Sequence, residues 1–164
     1  MLVVTFRIAG SAYALRCDDV VAVIPEVELR PLAQGAACLR GVFAYRGELT
    51  PVVDLCQLVG GYRCPARLSS RIALVRSALS DGTQRTIGLL AEHMTEARHL
   101  AETLPACAKV ASLPYFGEVR IEAGEPLQFL EPGAILHASG LALPSPSTVM
   151  RITAGEKDRE PPQP

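Results

Sequence analysis

Apolar residues along this chain come in short runs separated by Gly, Ser, Asp and Pro, with little of the three-and-four spacing of an amphipathic helix. LVVTFRI (2–8), the tight turn Ala9-Gly10-Ser11 and AYALR (12–16) predict a strand, a turn and a strand. Asp18-Asp19 precede VVAVI (20–24), a segment that suits either a brief helical turn over 17–22 or a strand, and Pro25 ends regular pairing. GVFAYRG and ELTPVVDL predict a hairpin turning at Arg46-Gly47, where Gly47 suits a positive φ. Pro51 has no N–H, so the second strand is expected at an edge or beside a bulge. Asp54 is placed to cap a short helix, Leu55 to Val59, that Gly60-Gly61 ends.

A polar connector, 62–71, leads to IALVRSAL (72–79), a turn at Ser80-Asp81-Gly82-Thr83 and TIGLLAEHM (86–94), the clearest hairpin of the chain. Residues 95–114 predict an irregular excursion or a short strand. YFGEVRIEAGEPLQFLEP (115–132) predicts two strands about Ala123-Gly124-Glu125, with a helical turn after Pro132. Turn signals roughly every 8 to 12 residues point to an all-β barrel or sandwich. The Pro- and charge-rich segment 144–164 is expected to be a disordered tail, leaving 1–143 as the folded domain.

Composition narrows the function. The 164 residues are 49% hydrophobic and 20% charged, too apolar for intrinsic disorder and long enough for one domain, with two small subdomains sharing a core still open. A net charge of −1 lacks the basic footprint of a nucleic-acid binder, so no nucleic-acid partner is expected. Arg7 interrupts the first apolar run, so no leader peptide is expected. No run approaches the roughly 18 apolar residues of a membrane span, so the chain is expected to be soluble and cytoplasmic, without membrane insertion.

Candidate chemistry is sparse. Cys17, Cys38, Cys56, Cys64 and Cys107 are irregularly spaced, without the clustered soft ligands of a zinc site, and read as small buried thiols. His93, His99 and His137 stand in no metal-binding spacing, and no nucleophile elbow or phosphate loop occurs. No catalytic residue, metal or cofactor is assigned. A Cys/His enzyme remains a competing reading, because such pairs meet in space and not in sequence.

LRGVFAYRGELTPVVDL (39–55) is the most distinctive stretch: a hairpin whose tip shows one arginine between a tyrosine and a glycine. A guanidinium on a rigid turn can pair with a carboxylate or with backbone carbonyls in fixed geometry. GVFAYRGELTPVVDL resembles the signature of CheW-like domains. VVTFRIAGSAYALRCDDVVAVI is similar to that family's opening hairpin, IALVRSALSDGTQRTIGLLAEHMTEA to the hairpin of its second subdomain, and YFGEVRIEAGEPLQFLEPGAIL to its closing strands. The blocks occur in the family's order over residues 2 to 136.

The resemblance implies two small SH3-like β-barrel subdomains around a shared hydrophobic core, with short helices, and a non-catalytic adaptor coupling chemoreceptors to a CheA-type histidine kinase at receptor arrays on the inner face of the membrane. It implies a groove for the methyl-accepting receptor's helical tip at Val20, Gly41, Arg46, Gly47 and Ala97, with small residues admitting a helix close to the backbone. It places the kinase contact at Ile72 and Ile87, expected as an exposed apolar patch on sheet edges. The chain departs from the family at Ala22, where a Glu is common, at Ala44, where an Asn is common, and at Ala91-Glu92-His93-Met94, which replaces Val-Asp-x-Val. A module that binds the kinase alone is the nearest alternative.

Overall fold

The computed structural model describes residues 1–32, 35–78, 82–101, 106–109 and 113–138. The expected turn at 80–83 falls partly outside these residues; the boundary at 143 and the tail 144–164 fall wholly outside them.

The opening hairpin pairs β1 (Leu2–Ile8) with β2 (Ser11–Arg16) through a two-residue turn, with φ 49° at Ala9 and 82° at Gly10. Both left-handed turn residues match the right-handed twist of the strands they join. The ambiguous segment resolves into a 3-10 turn at Cys17–Asp19 followed by β3 (Val20–Pro25). β4 (Leu39–Tyr45) and β5 (Glu48–Asp54) form the predicted hairpin, and α1 (Leu55–Gly60) follows directly. Gly61 ends α1 in the left-handed conformation, φ 73°. β6 (Arg71–Ala78), β7 (Gln84–His99), β8 (Ala106–Lys109), β9 (Phe116–Glu122), β10 (Glu125–Leu130) and α2 (Pro132–Ala138) complete the order.

The strands make two small SH3-like barrels that share β7. Its first half lies between β6 and β5, giving the order β3-β6-β7-β5-β4. Its second half pairs β1, giving β7-β1-β2-β10-β9-β8. His93, at φ 51°, marks the passage from one barrel to the other, where the β1 register shifts between Thr5 and Arg7. A bulge bends a strand at such a point. The β3–β4 connection comes back across the sheet, where Arg30 and Val42 exchange both backbone hydrogen bonds, 2.8 and 2.9 Å.

One core cluster spans both barrels. Phe6 and Leu15 from the first hairpin meet Val53, Leu74 and Leu89 of the other sheet and Ile135 and Leu136 of α2. A second, smaller cluster of Val3, Ala14, Leu100, Leu127 and Phe129 lies in the barrel that holds β1, β2 and β10. Residues 72–75 and 87–91 are buried without alternation, the mark of strands covered on both faces, and α2 packs on β6.

Two expectations change. β7 does not end at residue 94 but continues to His99, so 95–114 holds the end of a long strand as well as β8. From Val52 onward β5 is flanked by β7 and is not an edge; the irregularity near Pro51 falls on its partner β4, whose register shifts between Leu39 and Gly41.

Candidate functional site

Tyr45 and Glu48 close the β4–β5 hairpin, leaving Arg46 and Gly47 as its two-residue tip at φ 50° and 81°. An L-residue in the left-handed region costs roughly 1 kcal/mol. Arg46 offsets part of this by laying its guanidinium over the Tyr45 ring, 5.3 Å from the centroid. Phe43 lies behind, its ring 6.4 Å from that of Tyr45. The guanidinium is therefore exposed yet held, and among the described residues it has no ion-pair partner. This corner can present a fixed cation to a carboxylate or to carbonyl oxygens.

The other groove positions divide. Val20, at the start of β3, is half-buried, and among the described residues β3 pairs with β6 alone. Ala97 is exposed on β7 opposite Val4. By register, the hairpin tip lies level with the beginning of β7, whereas Ala97 lies towards its end.

Gly41 does not serve the purpose the sequence suggested. It is buried at φ 148°, and a β-carbon there would fall 2.6 Å from the Arg30 carbonyl oxygen. Its lack of a side chain admits the chain's own segment, not a partner helix.

Ile72 and Ile87 are likewise corrected as an exposed patch. Both are fully buried, because β6 is an interior strand between β3 and β7 and is covered by α2. The unbroken runs IALV and IGLLA carried that signal. Gly88 serves the same packing: a β-carbon on it would meet Ile72 Cγ2 at 2.8 Å and Val52 Cγ2 at 3.0 Å.

The family departures also find places. Ala22 is half-buried opposite Leu74, and Ala44 is exposed opposite Leu49. Glu92 is engaged internally. Its carboxylate accepts a 2.6 Å hydrogen bond from the Tyr62 hydroxyl and lies 3.7 Å from Arg67. The Tyr62 oxygen accepts in turn from the Ala9 amide at 2.8 Å, so this tyrosine straps the first hairpin to β7.

A buried polar centre went unseen in the sequence. Asp54 Oδ1 caps α1 by accepting from the Gln57 amide at 3.0 Å. Its Oδ2 accepts from the Cys64 amide at 2.9 Å and from Arg40 at 3.0 Å, and Arg40 reaches on to Glu26. Asp54, Cys56 and Cys64 bring three potential ligand atoms within 4.8 Å of one another, all buried. Residues without a metal-ligand spacing meet because α1 and the Gly60-Gly61 turn fold position 64 back onto position 54. The donor set suits a metal poorly, since the carboxylate already accepts three hydrogen bonds and faces a guanidinium.

Burial raises the Cys17 and Cys38 thiols, and among the described residues no imidazole acts on them or on Cys56 and Cys64. His93, His99 and His137 are exposed.

Residues 2–139 match the family model described as CheW-like domain. Among solved structures, the chain is similar to the crystal structure of scaffolding protein TtCheW from Thermoanaerobacter tengcongensis. The TM-score is 0.68 at 20% identity, over 80% of this chain and 84% of that one. Comparison with curated protein sequences gave no match.

Proposed function

The chain belongs to the CheW-like domain family, and on that footing we propose that it is a non-catalytic adaptor coupling the cytoplasmic tip of methyl-accepting chemoreceptors to a CheA-type histidine kinase. It works in the cytoplasm, recruited to arrays at the inner face of the membrane, and its output is chemotaxis, motility or surface sensing. The observation that carries this reading is the Arg46-Gly47 corner. It spends backbone strain on an exposed cation that no described carboxylate neutralises.

The receptor surface on this reading comprises Arg46 and Gly47 at the hairpin tip, with Val20 and Ala97 as further contacts, and Gly41 supports the hairpin from within. An amphipathic helix docks through an apolar stripe and a few fixed polar contacts. The kinase surface lies on the β6–β7 hairpin. There the exposed Arg76, Ala78 and Gln84 make the contact, and Ile72 and Ile87 hold the strands in place from the core. Each contact is weak, and the array gains its strength from many acting together.

Pull-down of the cognate receptor tip and kinase tests the reading. Arg46→Glu should abolish receptor capture and spare kinase capture, and Arg76→Glu with Gln84→Lys should do the reverse. Undiminished capture of both partners by both variants would sink the proposed surfaces. The second reading, a module for the kinase alone, is favoured by the small exposed Ala44 beside the tip. It is chosen if the kinase is captured and no receptor tip is.

A further inference from the structure

Cys56 and Cys64 are two free, buried thiols whose sulfurs lie within 4.8 Å of each other. One carboxylate fixes both ends of the segment between them. Asp54 Oδ1 holds the first turn of α1 through the Gln57 amide, and Oδ2 holds the Cys64 amide. The backbone that carries the two sulfurs is therefore held in place. Besides its hydrogen bond to Cys56, the Cys64 sulfur makes long contacts of 3.9 Å to the Pro65 carbonyl oxygen and to Ser70 Oγ. A disulfide needs the sulfurs at about 2.05 Å, so closing the pair brings them together from within 4.8 Å.

We propose that Cys56 and Cys64 are a redox-convertible pair that closes reversibly to an intramolecular disulfide. The oxidant is a small-molecule disulfide. Both protein sulfurs are buried, so exchange takes place in a locally opened form, in which the Cys56 thiolate attacks one sulfur of the small disulfide and expels one thiolate, leaving a mixed disulfide on Cys56. Cys64 loses its proton, attacks the Cys56 sulfur and expels the second thiolate. Two protein thiols become one protein disulfide, the small disulfide becomes two thiols, and two electrons pass to it. Cys56 is the attacking sulfur for a physical reason. The hydrogen bond from Cys64, aided by the Glu92 amide, lowers its thiol against the opposing effect of burial, while the same interaction raises Cys64. A thiolate, not a thiol, carries the exchange.

Closure constrains the strap between the barrels. Tyr62 lies inside the bridged segment and joins the Ala9 amide to Glu92. The disulfide thus sets how freely this strap opens, a regulation that the adaptor reading neither requires nor excludes.

The test equilibrates the full chain, under native conditions, with glutathione buffers of graded disulfide-to-thiol ratio. Acid quench, alkylation and peptide mass mapping follow. The expected result is one two-electron transition in which a peptide linked through Cys56 and Cys64 appears and two of the five cysteines lose alkylation. Dithiothreitol reverses it. Cys64→Ser should give no linked peptide and accumulate glutathione on Cys56. Three results would overturn the proposal. Both thiols stay alkylatable at ratios that oxidise a thioredoxin-type dithiol standard; Cys56 pairs with Cys17, Cys38 or Cys107 instead; or added zinc protects both thiols from alkylation while glutathione disulfide leaves them unlinked. Each is read on the wild-type chain, so a poorly folding variant does not blunt the test, and none depends on receptor or kinase binding.

Discussion

The carbonyl oxygen of Arg30 lies 2.6 Å from the point that a β-carbon on Gly41 would occupy. The obstacle is backbone, fixed by the paired hydrogen bonds between Arg30 and Val42. Gly41 also sits at φ 148°, where a side chain is strained whatever space it has. Gly41→Ala is therefore expected to destabilise the domain by about 2–4 kcal/mol, from overpacking and backbone strain together. Urea denaturation measures this as a lowered midpoint at unchanged slope. An unchanged midpoint would mean that the segment before β4 is not seated as described.

Asp54 and Arg40 form a pair with side chains 3% and 13% exposed. Removing one partner strands the other. Asp54→Ala is expected to cost about 3–5 kcal/mol, with loss of the α1 cap included. Arg40→Met combined with Asp54→Ala should cost less than the sum of the single changes, because no buried charge is left alone. A double-mutant cycle in urea gives the coupling, and strict additivity would contradict a buried ion pair.

Tyr62→Phe deletes the hydroxyl that joins Ala9 to Glu92. At neutral pH the loss is expected at about 1–3 kcal/mol, since the Glu92 carboxylate loses a donor and the Ala9 amide an acceptor. The alkaline limb carries a separate signature. Burial, with the Glu92 carboxylate assisting, raises the Tyr62 hydroxyl above its ordinary 10.0, and burial raises Tyr13 and Tyr115 as well. A folded state that holds a proton more tightly keeps this stabilisation whole below the unfolded value and loses it as pH rises above 10.0 through the folded value. The urea midpoint of the wild-type chain should therefore fall above about pH 10. The Tyr62→Phe chain should fall less steeply, and identical slopes would remove Tyr62 from the strap.

Arg46→Gly separates the cation from the turn. Glycine accepts the left-handed conformation, so stability should stay within about 1 kcal/mol of wild type, the cation–π contact being lost and the strain relieved. Affinity for the receptor tip should fall at least about tenfold, or roughly 1.4 kcal/mol. Isothermal calorimetry reads the affinity, and full affinity in the glycine variant would mean that the partner recognises the turn and not the guanidinium.

Ile87→Glu places a carboxylate in a fully buried site opposite Val75. It is expected to abolish the cooperative unfolding transition, because an unpaired charge in the core exceeds what a domain of this size can lose. A folded Ile87→Glu chain, shown by retained near-ultraviolet circular dichroism, would return Ile87 to the surface.

The hairpins were legible because their turns are chemically marked: Ala9-Gly10, Arg46-Gly47 and Ala123-Gly124 all adopt left-handed pairs. The helix after Asp54 was legible from its cap and its glycines. The second half of β7 was hidden. Thr95, Ala97, Arg98 and His99 are exposed and polar or small, so no apolar alternation announces the strand. Ile72 and Ile87 stand in unbroken apolar runs, the mark of strands covered on both faces, and that local signal outweighs the family likeness that points them outward. Proximity of Cys56 to Cys64 was out of reach of any spacing rule, since it depends on where Asp54 anchors the returning chain.

β2 pairs in parallel with β10, and β5 with β7. Of the described strands, the β1–β2 hairpin is thus synthesised first and is among the last to gain its neighbours. Its ladder waits for residues 127–129, and no truncation before that point leaves its sheet complete. Such late long-range closure slows folding and lengthens the time that an unpaired apolar β2 edge is open to other nascent chains.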